Sequence, residues 1–301
     1  MVENRYSCPL YRSHDAGDSP AALNVFIALI NGVFSILALI SNLLVIFVIC
    51  KKPALRTAWH VFLASQASSN VAVSLLAQPS LIALQMKEML GNTDGYCTAQ
   101  LINTAASVIC ILTTFWSVLG MALNQFLSLQ FAAWYTATIT FKRVTILVVF
   151  TWLVVMLAFV LCFALGFTGR VFLVAILMAA FLMLPTLVFS FKNYHKIRGH
   201  LIQVQQQLEV PTSLPPVITP NISRHRRNAA TVFSILATCC MTHVPLFITF
   251  VIAYLLEWSE ARTNVFIITL TVAYTYSCLC SVICFRRNKE IRQEVLHVLH
   301  C

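Results

Sequence analysis

The sequence predicts an all-α membrane protein, a bundle of seven transmembrane helices with a short amphipathic helix on its inner face. Three observations carry this. Seven runs contain no Asp, Glu, Lys or Arg, at 19–50, 57–86, 95–141, 144–169, 171–191, 228–256 and 263–285, and a spanning helix needs about 20 apolar residues. Hydrophobic residues make up 59% of the chain and charged residues only 10%, which is more apolar than a soluble domain. The basic residues collect in alternate connections between the runs. Because hydrocarbon offers no partner to an exposed backbone N–H or C=O, the runs are expected to be helices.

Residues 1–23 read as an extracellular segment, 24–285 as the seven-helix domain, and 286–301 as a cytoplasmic amphipathic helix and tail. The opening MVENRYSCPLYRSHDAG lacks the basic start and apolar stretch of a cleavable signal, so the first span is expected to direct insertion itself. The first helix carries Asn42 and the second Asn70, lone amides in apolar surroundings that suit structural hydrogen bonding. The fourth centres on Trp152 and the fifth carries Pro185. From Gln203 to Ser223 the chain is polar and holds Pro211, Pro215, Pro216 and Pro220, the composition of a flexible loop rather than of a folded domain. After the seventh span, Ile291, Val295, Leu296, Val298 and Leu299 fall on one side of a helix and Arg287, Lys289, Glu290 and Arg292 on the other, the pattern of a segment lying in the membrane interface.

Assigning the connections alternately to two sides puts fifteen of the 20 Lys and Arg on one of them: Lys51, Lys52, Arg56, Lys142, Arg143, Lys192, Lys196, Arg198, Arg224, Arg226, Arg227, Arg286, Arg287, Lys289 and Arg292. By the positive-inside rule that side is cytoplasmic and the N-terminus extracellular. The net charge of +10 is then a topology signal on a face suited to anionic lipid, not a nucleic-acid footprint. Of the eleven cysteines, Cys8 and Cys97 fall on the oxidising side and form the candidate disulfide pair.

The order of these landmarks resembles the rhodopsin-like (class A) G-protein-coupled receptors over nearly the whole chain. SNLLVIFVICKKPALRT resembles the family's first helix, with Asn42 in its Asn position. Trp152, Pro185 followed by Tyr194-His195-Lys196-Ile197, Pro245 in THVPLF, and FRRNKEIRQEV after the last span are similarly in register. The resemblance implies a plasma-membrane, multi-pass receptor that catalyses nothing, binds ligand among its outer helix halves and engages a heterotrimeric G protein through an outward tilt of the sixth helix.

The chain also departs from the family pattern. Asn124-Gln125-Phe126 stands where Asp-Arg-Tyr is usual, and the start of the sixth helix reads Arg224-His225-Arg226-Arg227. No ion pair is therefore expected between the third and sixth helices. Asn70 replaces an intramembrane Asp, with Thr114 and Cys280 as its expected neighbours, which removes the carboxylate that a sodium ion needs. Cys280 and Cys284 occupy the ends of the motif that is elsewhere Asn-Pro-x-x-Tyr, and His243 replaces a Trp. Such changes fit a receptor with a retuned signalling equilibrium, or a receptor-like protein that couples weakly or not at all.

Ligand class follows from what the spans omit. With no acidic residue in any span, a buried cationic amine would lack a counter-ion, and Tyr274 stands where an opsin carries its retinal lysine. Gln78, Asn103, Ser107, His243, Phe247, Phe250 and Tyr274 compose an apolar wall with a few neutral polar groups, suited to a small uncharged or lipid-like ligand. Neither a metal nor another cofactor is implied: the span histidines are His60 and His243 alone, and no pair of intramembrane carboxylates exists for proteolysis. A seven-helix channel or transporter is the remaining alternative, although intramembrane charges and internal repeats are missing.

Overall fold

The computed structural model describes residues 7–8, 11–12, 20–90, 94–165, 168–209, 220–256 and 258–299. A two-residue hairpin, β1 (Ser7–Cys8) paired antiparallel with β2 (Tyr11–Arg12), precedes the helices α1 (Ala21–Lys51), α2 (Ala58–Leu90), α3 (Tyr96–Gln130), α4 (Phe141–Ala164), α5 (Thr168–Glu209), α6 (Pro220–Leu255), α7 (Glu260–Arg287) and α8 (Lys289–Leu299). Even the shortest of the first seven, α4 with 24 residues, is about 36 Å long at 1.5 Å per residue, against a hydrocarbon thickness of about 30 Å. The chain is an all-α seven-helix membrane bundle.

Its polarity is inverted relative to a soluble protein. In α1, Asn24, Asn31 and Asn42 are buried while Phe26, Leu29, Val33, Ile36 and Ile40 are exposed. In α4 only Val144 and Val148 are buried, and Phe150, Leu153, Leu157 and Val160 face outward. Water would reject such a surface and lipid accepts it. The interior carries the amides Gln66, Asn70, Gln78, Gln85, Asn103, Asn124, Gln125 and Asn193, all buried.

Local signals set the helix boundaries. Thr140 accepts a hydrogen bond from the Arg143 N–H at the start of α4, and Ser259 accepts one from the Arg262 N–H at the start of α7. Both are N-cap residues of the preferred kind. Asn288 starts α8 the same way, its Oδ1 accepting from the N–H groups of Glu290 and Ile291. Gly95 enters α3 at φ 69°, a conformation that costs glycine nothing, while the Lys87 ammonium donates to the neighbouring Asp94 carbonyl. A π-helical stretch, Val73–Ala77, interrupts α2 just before Gln78-Pro79.

Contrary to the reading of 203–223 as loop, α5 continues through Gln203 to Glu209 and α6 begins at Pro220. The physical reason is compositional: Gln and Leu are good helix formers, and the first proline comes only at Pro211. Residues 210–219 lie outside the described residues.

The amides stitch the bundle together. Asn42 Nδ2 donates to the Ala38 carbonyl at 2.8 Å and to the Ser277 carbonyl of α7 at 3.0 Å, and its Oδ1 accepts from Asn70 Nδ2 at 3.0 Å. One residue thereby joins α1, α2 and α7, and such interhelical bonds contribute about 0.6 kcal/mol each on average. Asn31 similarly reaches Thr271 of α7 at 3.1 Å. Trp152 Nε1 donates to Ser65 Oγ at 3.1 Å, and Ser65 pairs with Ser117 at 2.9 Å, holding the peripheral α4 to α2 and α3. At the α2–α3 crossing, Gly120 lies directly under the ring of Phe62, the close approach that small residues permit in membrane bundles.

Instead of turning its apolar side wholly to the interface, α8 packs Ile291 and Val295 into the bundle core and leaves Leu296 exposed. Glu294 pairs with Lys52 at 2.6 Å and Glu290 with Arg227 at 3.2 Å. The α1–α2 connection, the start of α6 and α8 therefore meet at one end of the bundle, the end opposite the start of α1 across seven spans.

Candidate functional site

Two groups of expected residues come together, at different depths. Toward the end at which α1 begins, Tyr274 Oη of α7 lies 3.0 Å from Asn103 Nδ2 and 2.6 Å from Ser107 Oγ of α3. Asn103 also donates to the Ala77 carbonyl at 2.7 Å, within the π-helical stretch of α2. All three side chains are buried. The cluster is neutral throughout, made of one amide and two hydroxyls, and offers orientation without charge. Gln78, the residue after Ala77, is fully buried, and among the described residues neither of its amide atoms has a hydrogen-bond partner.

The aromatic residues divide into two sets. His243 and Phe247 of α6 pack around Phe115 of α3, with ring centroids at 5.6 Å and 6.0 Å. Phe250 instead belongs with Phe172 at 4.8 Å, Phe266 at 6.0 Å and Trp258 at 6.0 Å, an aromatic lid over α5, α6 and α7. Phe115, Phe172, Trp258 and Phe266 were not among the expected site residues. For Phe115, Phe172 and Phe266 the sequence signal, an aromatic residue in a charge-free run, is shared by many lipid-facing positions, and Trp258 stands between Glu257 and Glu260, outside every such run. His243 Nδ1 is 3.1 Å from the Cys239 carbonyl and 3.0 Å from Thr242 Oγ1, as a hydrogen-bonded core histidine would be.

At the α8 end, Gln125 is buried and its Nε2 lies 3.0 Å from the His225 carbonyl and 3.1 Å from His225 Nδ1. A neutral link thus joins α3 to α6. α6 also carries an ionic restraint, the Arg227–Glu290 pair to α8. Asn124 Oδ1 accepts from Tyr135 Oη at 2.9 Å, tying in the short helix Ala132–Thr138. Phe126 packs on Phe189 at 5.1 Å, with Lys192 Nζ 5.7 Å from its ring centre.

Tyr194 does not join this group. It is exposed, with its ring beside His195, whereas the preceding residue, Asn193, is buried and donates to the Ala122 carbonyl at 3.0 Å. The cause is rotational: one residue along a helix is about 100°, and the rotation of α5 is set by its packing on α3. Cys280 and Cys284 are buried free thiols. Pro185 lies inside α5 and Pro245 inside α6, each removing one backbone hydrogen bond.

Cys97 is disulfide-bonded. Cys8 lies in β1, and its side chain is outside the described residues. Among the described residues no three His, Cys, Asp or Glu side chains gather into a metal-binding group. No protein-family model matches the sequence.

Proposed function

We propose that this chain is a cell-surface receptor of the rhodopsin-like type, with its N-terminus outside the plasma membrane, that binds a small neutral or lipid-like ligand and signals through a heterotrimeric G protein. The observation that carries the reading is the arrangement along α3. Asn103 and Ser107 meet α7 at one depth, and Gln125 meets α6 near the other end of the same helix. A ligand that competes for the Tyr274 hydroxyl under the aromatic lid changes the packing of α3, α6 and α7 together. The Gln125–His225 contact is what an outward movement of α6 would break, opening a cleft for the G protein. Membrane lipids are the other partner, against the apolar outer surface.

The test is a panel of G-protein sensors in cells expressing the full chain, read with and without a library of uncharged and lipid-like compounds. A hit whose potency falls with Tyr274→Phe, at unchanged surface expression, supports the reading. Silence of every sensor, basal and stimulated, contradicts it, and ionic current from the purified chain in bilayers without G protein would favour the channel alternative.

A further inference from the structure

Proline leaves a helix one backbone donor short, and α2 carries Pro79 just beyond its π-helical stretch Val73–Ala77. At the end of that stretch the Gln78 N–H donates to the Val73 carbonyl, five residues back. The next step of the same ladder falls on Pro79, which has no N–H, and its acceptor would be the carbonyl of Ser74. Ser74 is buried, and inside a membrane bundle a carbonyl without a donor is costly.

A side chain from another helix fills the position. Ser35 Oγ of α1 donates to the Ser74 carbonyl at 2.7 Å. A serine hydroxyl has one proton to give, and within helices it often returns it to its own backbone, as Ser68 does to Ala64 and Ser80 to Leu76. Ser35 commits its proton to α2 instead. The stretch it braces leads to the candidate site, because the Ala77 carbonyl accepts from Asn103 Nδ2 at 2.7 Å and Asn103 Nδ2 lies 3.0 Å from the Tyr274 hydroxyl. We propose that Ser35 supplies from α1 the hydrogen bond that Pro79 withholds from α2, and is thereby a positioning residue for the Asn103–Tyr274 pair. Its service to a ligand site rests on the receptor reading above, whereas the exchange of one donor for the other does not.

The experiment combines melting curves in lipid nanodiscs for the wild type, Ser35→Ala, Ser35→Thr, Pro79→Ala and the Ser35→Ala/Pro79→Ala double variant with carbonyl carbon-13 NMR of Ser74 and Ala77 in the full chain. Ser35→Ala is expected to melt about 2–4 °C lower and to move both carbonyl signals, and Ser35→Thr to match the wild type. In the Pro79→Ala background residue 79 has an N–H of its own for the Ser74 carbonyl, so loss of the Ser35 hydroxyl should then cost little. Equal losses in the two backgrounds, which is what simple packing by Ser35 would give, overturn the proposal, as does an unmoved Ser74 signal. An Ala77 signal that stays in place overturns the positioning role. If Ser35→Ala does not fold, recovery of folding by Pro79→Ala supports the proposal and failure to recover overturns it. Neither measurement uses a ligand or a G protein, so silent sensors would count against the receptor reading alone.

Discussion

Replacing Gly120 by alanine probes a close helix contact in the bundle. A Cβ at this position would lie 2.3 Å from Cε1, 2.4 Å from Cδ1 and 2.8 Å from Cζ of Phe62. Carbon atoms rest at about 3.5–4.0 Å, so the ring or the helix must retreat by roughly 1 Å. Phe62 is buried and has little room to do so. Overpacking of this kind costs about 1–3 kcal/mol, partly offset by the ~1 kcal/mol helix preference of Ala over Gly. Gly32 provides the control, since a Cβ there meets only Ile82 Cδ1 at 4.0 Å. Gly32→Ala should therefore be neutral or stabilising, and Gly120→Ala destabilising by up to about 2 kcal/mol, or roughly 2–4 °C of melting temperature per kcal/mol. Thermal unfolding of the purified chain in nanodiscs measures both. In a Phe62→Leu background the Gly120→Ala penalty should shrink, because contacting residues are not additive. Equal shifts for the two glycine variants, or a penalty unchanged by Phe62→Leu, would refute the contact.

Two further outcomes follow from the hydrogen bonds and the cysteines. Asn70→Ala leaves Asn42 Oδ1 without its donor inside the bundle and should lower stability by about 1–2 kcal/mol. The same assay checks this, and an unchanged melting temperature would remove Asn42 from its role as a hub. If Cys8 is the partner of Cys97, Cys8→Ser should make Cys97 reactive to a membrane-impermeant maleimide on intact cells, and continued protection of Cys97 would point to a different pairing.

The seven spans were legible because charge-free runs report hydrocarbon thickness directly, residue by residue, without reference to neighbours. Asn42 and Asn70 were legible for a related reason: an amide in an apolar helix must find a partner in the protein. Asn103, Ser107 and Tyr274 were named as part of one larger wall with Gln78, His243, Phe247 and Phe250, and their direct hydrogen bonds to one another were not foreseen. What the sequence could not supply was rotation and reach. Tyr194, expected at the inner cleft, faces outward and its neighbour Asn193 faces inward, because helix facing is decided by packing. Gln125–His225 and Arg227–Glu290 join residues 100 and 63 positions apart, and no local pattern marks either pair. The extension of α5 to Glu209 was hidden by polarity, which signals the end of the membrane but not the end of the helix.

In the proposed receptor, α6 is held to α3 by Gln125 and moves when that hold is lost. Gln125→Leu removes both hydrogen bonds to His225, each contributing about 1 kcal/mol, which corresponds to a shift of roughly tenfold or more toward an open end. The direct measurement is the distance distribution between spin labels carried on non-cysteine side chains at Gln130 and Arg226, two exposed positions flanking the contact. A dominant short distance in the wild type, with a longer population growing in Gln125→Leu, is the predicted result. Identical distributions in the two proteins would contradict it.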